Sequence, residues 1–284
     1  MALKEITLFG ERDKVKQAID RLKAFEPPEG YYLAFSGGKD SQTIYHLAQE
    51  AGVKFDAHYN VTGIDPPELV YFIRENYPDV RMEMYKESMW KLILKNSGPP
   101  TRLMRYCCKE LKERGGEGRF CVTGVRWEES IRRKNTRDIA EFFGESLKNK
   151  ILLNDNDEAR KMMENCTQKG KLVLNPIIDW TEQDVWEYLN SRDIKHCKLY
   201  DEGQKRLGCI GCPNGNTKGM EEDFERYPKF KAQYIRTFDK LVELRKEKGL
   251  KTIWETGQDV YDWWVYGKAK EKQLEGQEDF FDMS

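Results

Sequence analysis

Two cysteine pairs and one glycine-rich turn carry the chemistry of this 284-residue chain. Cys107-Cys108 is a vicinal pair and Cys209-x-x-Cys212 a CxxC, which makes a set of four thiols. Thiolates are soft ligands, and four of them fill either a cubane iron–sulfur cluster or a structural zinc site. Zinc ribbons pair CxxC knuckles and take adjacent ligands poorly. An iron–sulfur cluster, a zinc site and four free thiols are the readings these residues leave open. Upstream stands Ser36-Gly37-Gly38-Lys39-Asp40-Ser41. Its glycines let backbone approach phosphate oxygens, and a following helix adds amides and a positive dipole end. Ser36 and Ser41 offer hydroxyls and Lys39 a mobile cation. The plain alternative is a glycine-rich turn with no ligand. The serines, the lysine and a preceding strand favour phosphate.

Those residues need elements to hold them. Tyr31 to Phe35 is a short apolar run, the pattern of a buried parallel strand, and Asp40 to Ala51 after the turn reads as a helix. The alternation repeats: strands at Phe55–Val61, Arg81–Tyr85 and Arg119–Thr123, helices at Pro67–Glu75, Met89–Lys95 and Lys109–Arg114. Such a rhythm predicts an α/β fold, a mostly parallel sheet flanked by helices, with its ligand site at the carboxyl ends of the strands. Ser36, Thr62 and Gly124 each follow a predicted strand, so all three are expected to open onto one crevice. Asp13 to Phe25 reads as an amphipathic helix stopped by Pro27 and Pro28. From about Ile139 to Gly170 the pattern dissolves into charge and amide, as in an insertion or lid. Order returns at Leu172–Asn175 and in a helix from Glu182 to Asn190 capped by Thr181. Helical stretches at about Glu222–Lys248 and Ile253–Lys272 predict a helical C-terminal extension. The expected organisation is an N-terminal helix over 1–28, an α/β domain over 29–215 and the extension over 216–284.

Charged residues make up 34% of the chain and hydrophobic ones 39%, with a net charge of −1, and the pI is about 6.4. That balance argues against a global electrostatic drive toward nucleic acid. No apolar run approaches the ~20 residues a membrane helix needs, and the N-terminus lacks a signal-peptide core. Seven cysteines without a secretory signal fit a reducing cytoplasm. Cys121 lies in a predicted strand and is expected in the core.

The turn SGGKDS resembles the PP-loop of ATP pyrophosphatases, which split ATP between the α- and β-phosphates. Further segments resemble the phosphoadenosine phosphosulfate (PAPS) reductase family of the PP-loop adenine nucleotide α-hydrolase superfamily. VTGIDPPELVYFI, from Val61 to Ile73, is similar to the family's DTG-x-x-x-PE-x-x-x-FI segment. Gly124-Val125-Arg126 with Ser130 and Arg133 resembles its G-x-R-x-x-x-S-x-x-R element. NPIIDWTEQDVWEYL, from Asn175 to Leu189, and Leu199-Tyr200-Asp201-x-Gly203 leading into Gly208-Cys209-Ile210-Gly211-Cys212 are similar to its later segments. Trp180, Val185, Trp186 and Leu189 are also what any packed helix would show.

The resemblance implies an adenine nucleotide, with Mg²⁺ if it is ATP, held by Ser36 to Ser41 with Thr62, Gly63 and Gly124. It implies catalytic roles for Lys39, Asp40, Arg126 and Arg133, with Arg132 sharing the last claim. It also implies a 4Fe–4S cluster on Cys107, Cys108, Cys209 and Cys212, as in the adenosine-phosphosulfate (APS) reductase branch. A sulfur-donor protein, a nucleic-acid acceptor and a homo-oligomer are the partners expected, with no membrane.

Two departures stand out. The family's reductases carry a nucleophilic cysteine on a C-terminal tail, whereas the final cysteine here is Cys212. Val61 stands where the family has the Asp of DTG. Meanwhile SGGKDS is a fuller ATP-pyrophosphatase loop than the reductases carry. The expectation is ATP activation coupled to sulfur transfer. The alternatives are a sulfonucleotide reductase with a relocated nucleophile, Cys166 or Cys197, and a non-catalytic nucleotide and redox sensor.

Overall fold

A computed structural model of the chain describes residues 3–7, 10–144, 152–153 and 170–267. In chain order its elements begin with β1 (Lys4–Thr7), β2 (Gly10–Asp13), α1 (Lys14–Ala24), β3 (Tyr31–Ala34), α2 (Lys39–Ala51) and β4 (Phe55–Val61). Next come α3 (Pro67–Asn76), β5 (Arg81–Met84), α4 (Met89–Lys95), α5 (Tyr106–Leu111), β6 (Phe120–Val122), a 3₁₀ turn (Trp127–Glu129) and α6 (Ile131–Thr136). The rest are β7 (Ala140–Gly144), β8 (Leu152–Leu153), β9 (Gly170–Leu174), α7 (Glu182–Ser191), α8 (Thr217–Arg226), α9 (Pro228–Glu247) and α10 (Gly257–Tyr266).

These elements fall into two units. One comprises Met1–Val61, Asp65–Met84 and Lys112–Leu207; the other comprises Thr62–Ile64, Tyr85–Leu111 and Gly208–Ser284. The first holds a seven-stranded sheet in the order β5-β4-β3-β6-β9-β7-β8. Strands β5, β4, β3, β6 and β9 run parallel, and β7 and β8 are antiparallel additions at one side. This is the expected α/β architecture, a mostly parallel sheet flanked by helices. Its β3 run is buried at Tyr31, Tyr32 and Leu33, because a strand covered on both faces has no water-facing register. Helix α2 lays Ile44, Leu47 and Ala48 into the same core as Ile73, Trp180, Val185 and Leu189. Helix α7 starts at Thr181, whose hydroxyl accepts from the Asp184 amide while the Asp184 carboxylate accepts from the Thr181 amide, a reciprocal cap.

The structure departs from the sequence expectations at several points. Residues Ala140–Gly144, placed in a patternless stretch, form strand β7 against β9. Glu141 breaks its apolar pattern, yet that side chain is fully buried. It accepts from Arg137 at 3.1 Å and from Asn175 at 3.0 Å. An N-terminal hairpin, β1 with β2, precedes α1. Helix α5 starts at Tyr106 rather than Lys109 and so carries Cys107 and Cys108. The remainder of the expected insertion, including Cys166, and the final residues of the expected C-terminal helix lie outside the described residues.

The second unit packs α9 beside α4 and α10 around Phe224, Tyr234, Phe238, Tyr261 and Trp264, with Leu92 and Ile93. The expected single stretch Glu222–Lys248 is two helices, parted at Tyr227 where Pro228 begins α9. Proline supplies no amide to the helix before it and fits the first turn of the next. Among the described residues, no helix is long and apolar enough to cross a membrane.

Candidate functional site

Strand β3 delivers the chain into Ser36-Gly37-Gly38, and α2 begins at Lys39 with Gly38 as its N-cap and no side chain capping it. Gly37 has φ +71°, and a Cβ there would lie 2.7 Å from both Leu69 and Ile73. Both its conformation and its neighbours therefore demand glycine. The turn closes on itself. The Ser36 amide donates to Ser41 Oγ at 3.1 Å, the two serine hydroxyls are 3.1 Å apart, and Ser41 Oγ donates to the Gly38 carbonyl at 2.8 Å. Ser36 stays exposed while Ser41 is buried.

Gly124 follows β6 and lets that chain approach the head of α2: a Cβ there would meet the Asp40 backbone at 2.9 Å. Two residues on, Arg126 is buried. It donates Nε to Asp40 Oδ1 at 2.6 Å and Nη1 to Glu128 at 2.7 Å. Burial alone would lower its pKa, but Asp40 and Glu128 outweigh that and hold it raised. Arg133, on α6, pairs with Glu129. Its pKa is pushed down to about 10 by burial and by the like charges of Arg206, Arg137 and Arg126, against the pull of Asp40. An anion entering among these guanidinium groups relieves that repulsion.

Lys39 was expected to be a mobile cation, but it is 4% exposed. Its Nζ donates to the Lys205 carbonyl at 3.0 Å and pairs with Glu182 at 3.2 Å. Its backbone amide, the first of α2, donates to the Tyr200 hydroxyl at 2.9 Å. Tyr200 in turn stands edge-on to Trp186 at 5.0 Å. The segment from Tyr200 to Arg206 is thus part of the loop's surroundings. Sequence reasoning assigned no site role to Tyr200, Arg206 or Arg137. For Tyr200 and Arg206 the only signal was the run leading into the CxxC, and Arg137 had none.

The structure brings Ser36 to Ser41, Gly124, Arg126 and Arg133 together in the first unit. The side chain of Arg132 lies outside the described residues. Thr62 and Gly63 belong to the second unit with all four candidate cysteines. Thr62 is buried, with Oγ1 3.6 Å from Cys209 Sγ and 3.3 Å from the Ile64 amide that donates to it.

Cys107, Cys108, Cys209 and Cys212 are half-buried thiols outside any disulfide. Tyr234 is fully buried; burial first, then the thiols of Cys209, Cys107 and Cys212, raises its phenol well above the ordinary range. Cys107 is likewise raised, by its hydrogen bond with Cys108, by burial and by Cys209. Among the described residues, no group of three or more His, Cys, Asp or Glu stands at metal-holding spacing. The donor set is four thiols of one unit, three of which, Cys209, Cys107 and Cys212, act on the Tyr234 phenol, and thiolates are the ligands that iron–sulfur clusters take. Cys121 and Cys197 are both fully buried. For Cys121 this is the expected core position; for Cys197 it removes the exposure an attacking thiolate needs.

The first strand of the mostly parallel sheet in chain order, β3, runs into this turn, and helices flank the sheet. The phosphoadenosine phosphosulfate reductase domain model matches residues 30–215, and the chain belongs to that family. It is 26% identical over 226 residues to an uncharacterized protein of Methanocaldococcus jannaschii, covering 76% of this chain and 47% of that one. It is 26% identical over 190 residues to the adenosine 5'-phosphosulfate reductase of Staphylococcus haemolyticus, covering 60% and 63% of the two chains. The corresponding reductase of Bacillus cereus is 23% identical over 227 residues, covering 72% and 82%. The chain thus spans about half the length of the first relative and under two thirds of the second. A solved PAPS reductase from Candida auris superposes with a TM-score of 0.45 at 17% identity, covering 68% of this chain and 87% of that one.

Proposed function

We propose that the chain is an adenine-nucleotide-dependent enzyme of sulfur metabolism that activates an acceptor with ATP and passes sulfur to it. The observation that carries this reading is the SGGKDS turn, closed between Ser36 and Ser41 and opening α2 without a side-chain cap. Helix amides and two hydroxyls at that point suit a polyphosphate, with Mg²⁺ accompanying ATP. An acceptor oxygen attacks the α-phosphorus, the bond to the bridging oxygen breaks, and pyrophosphate leaves. A sulfur nucleophile then attacks the activated carbon, and AMP departs with the oxygen. Arg126 orients Asp40 at the head of α2, and Arg133 stabilises charge developing on the leaving diphosphate. Preorganised donors of this kind contribute about 10²–10³ each in rate. Cys107, Cys108, Cys209 and Cys212 would hold a 4Fe–4S cluster, which supplies a polarising, sulfur-binding centre. A sulfur-donor protein and a nucleic-acid acceptor are the proposed partners, and a homo-oligomer the proposed assembly.

A second reading is a sulfonucleotide reductase, favoured by the two relatives named as adenosine 5'-phosphosulfate reductases. Its reaction draws two electrons from a dithiol and gives sulfite, with AMP from APS or adenosine 3',5'-bisphosphate from PAPS. Anaerobic protein incubated with α-labelled ATP, or with APS or PAPS and a dithiol, separates the two. Labelled AMP with pyrophosphate supports the first, and sulfite supports the second. Unchanged nucleotide in every arm rejects both and leaves a non-catalytic sensor.

A further inference from the structure

The turn Cys209-Ile210-Gly211-Cys212 is fixed by three hydrogen bonds. The Ile210 amide donates to the Ile64 carbonyl at 2.8 Å. The Ile210 carbonyl accepts from the Tyr234 hydroxyl at 3.4 Å, and the Gly211 amide donates to Asp223 Oδ2 at 2.9 Å. Gly211 has φ +67°, and a Cβ on it would lie 2.3 Å from the Phe224 ring. Asp223 and Phe224 are neighbours on α8, and Tyr234 lies on α9, so two helices after the turn grip it from both its polar and apolar sides.

The same helices brace the approach to the other cysteine pair. Arg245 on α9 donates to the Ser97 carbonyl at 2.6 Å, and Trp264 on α10 donates Nε1 to the Pro100 carbonyl at 2.6 Å. Ser97 to Pro100 joins α4 to the segment that enters α5 with Cys107 and Cys108. Trp90 on α4 meets the Tyr234 ring edge-on at 4.9 Å. Tyr234 therefore stands where the Cys209–Cys212 turn and the α4–α5 segment are both anchored.

We infer that α8, α9 and α10 are the scaffold of the four-thiol site, with Asp223 and Tyr234 as its positioning residues. The inference rests on reading those thiols as cluster ligands. Four thiolates repel one another, so their separation must be imposed by what surrounds them. Leaving the Gly211 amide or the Ile210 carbonyl without its partner loosens the turn while the apolar packing of Phe224, Phe238 and Trp264 stays intact. Partners one layer behind metal ligands affect metal affinity by about 10- to 100-fold.

The test uses the full chain, reconstituted anaerobically with iron and sulfide. In parallel, cobalt(II) is titrated into the metal-free protein to read the thiol site through its sulfur-to-metal absorption, independently of any cluster. Asp223→Ala removes the acceptor, Asp223→Asn keeps one, and Tyr234→Phe removes only a hydroxyl. Asp223→Ala and Tyr234→Phe are expected to weaken cobalt binding about 10-fold or more and lower iron and sulfide per chain. Asp223→Asn should restore both, with the melting temperature of the metal-free protein little changed. If Asp223→Ala fails to fold, Tyr234→Phe against the parent decides. Variants that take up iron and cobalt as the parent does overturn the scaffold role. A parent that takes up neither metal overturns the cluster reading itself, an outcome visible before any variant is made.

Discussion

Arg133 stands among Arg206, Arg137 and Arg126, with Asp40 opposing them, and its pKa falls to about 10. A base whose folded pKa lies below its unfolded value destabilises the native state at neutral pH, and the penalty is relieved only as pH rises through that folded value. Arg133→Met should therefore raise the melting temperature of the nucleotide-free protein. Hydrogen bonds to charged groups contribute about 1.5–3 kcal/mol, so the same variant should bind nucleotide about 10- to 100-fold more weakly. Calorimetry on one preparation reads both effects, and opposite signs are the expected signature of a site strained for function. Gly37→Ala forces a left-handed turn on a residue with a Cβ that meets Leu69 and Ile73, and should lower stability by about 1–3 kcal/mol. Denaturant unfolding checks it. Arg126 and Arg133 were legible because they stand in a spaced motif after a strand. Tyr200 and Arg206 were not, since the place of Tyr200 beside Lys39 and of Arg206 near Arg133 arises from a chain return that no local pattern encodes.

At the scale of elements, the parallel strands were readable because burial on both faces makes them continuous apolar runs. Strands β1, β2 and β7 were hidden by charge. In the hairpin, Lys4 pairs with Glu11 at 2.9 Å and Arg12 with Glu5 at 3.8 Å, while in β7 the buried Glu141 imitates a loop residue. Charge also joins neighbouring strands. Asp56 on β4 accepts from Arg119, just before β6, at 2.8 Å, and pairs with Arg81 on β5 at 3.3 Å. Arg119, opposed by burial and aided by His58, holds the Asp56 carboxyl down at about 2. A depressed folded pKa stabilises above the unfolded value near 4, and that contribution disappears as pH falls through about 2. Asp56→Asn should thus lose about 1–2 kcal/mol at pH 7, allowing for screening at a partly exposed site. The difference from the parent should close at the acid end of a pH series of unfolding curves.

At the scale of the molecule, the chain combines a mostly parallel α/β unit with a helical unit that contains both cysteine pairs. The division cuts across the sequence. Thr62–Ile64 and Tyr85–Leu111 lie between strands and helices of the sheet yet belong to the helical unit. With a net charge of −1, affinity for any anionic ligand has to come from local clusters such as the arginines about Asp40, rather than from the field of the whole protein. The measurement that bears most directly on this account is calorimetric titration of the anaerobic protein with ATP, APS and PAPS, with or without Mg²⁺. The account predicts one adenine nucleotide bound per chain and an affinity reduced at least 10-fold in Arg133→Met. Failure of all three nucleotides to bind the folded protein would contradict it.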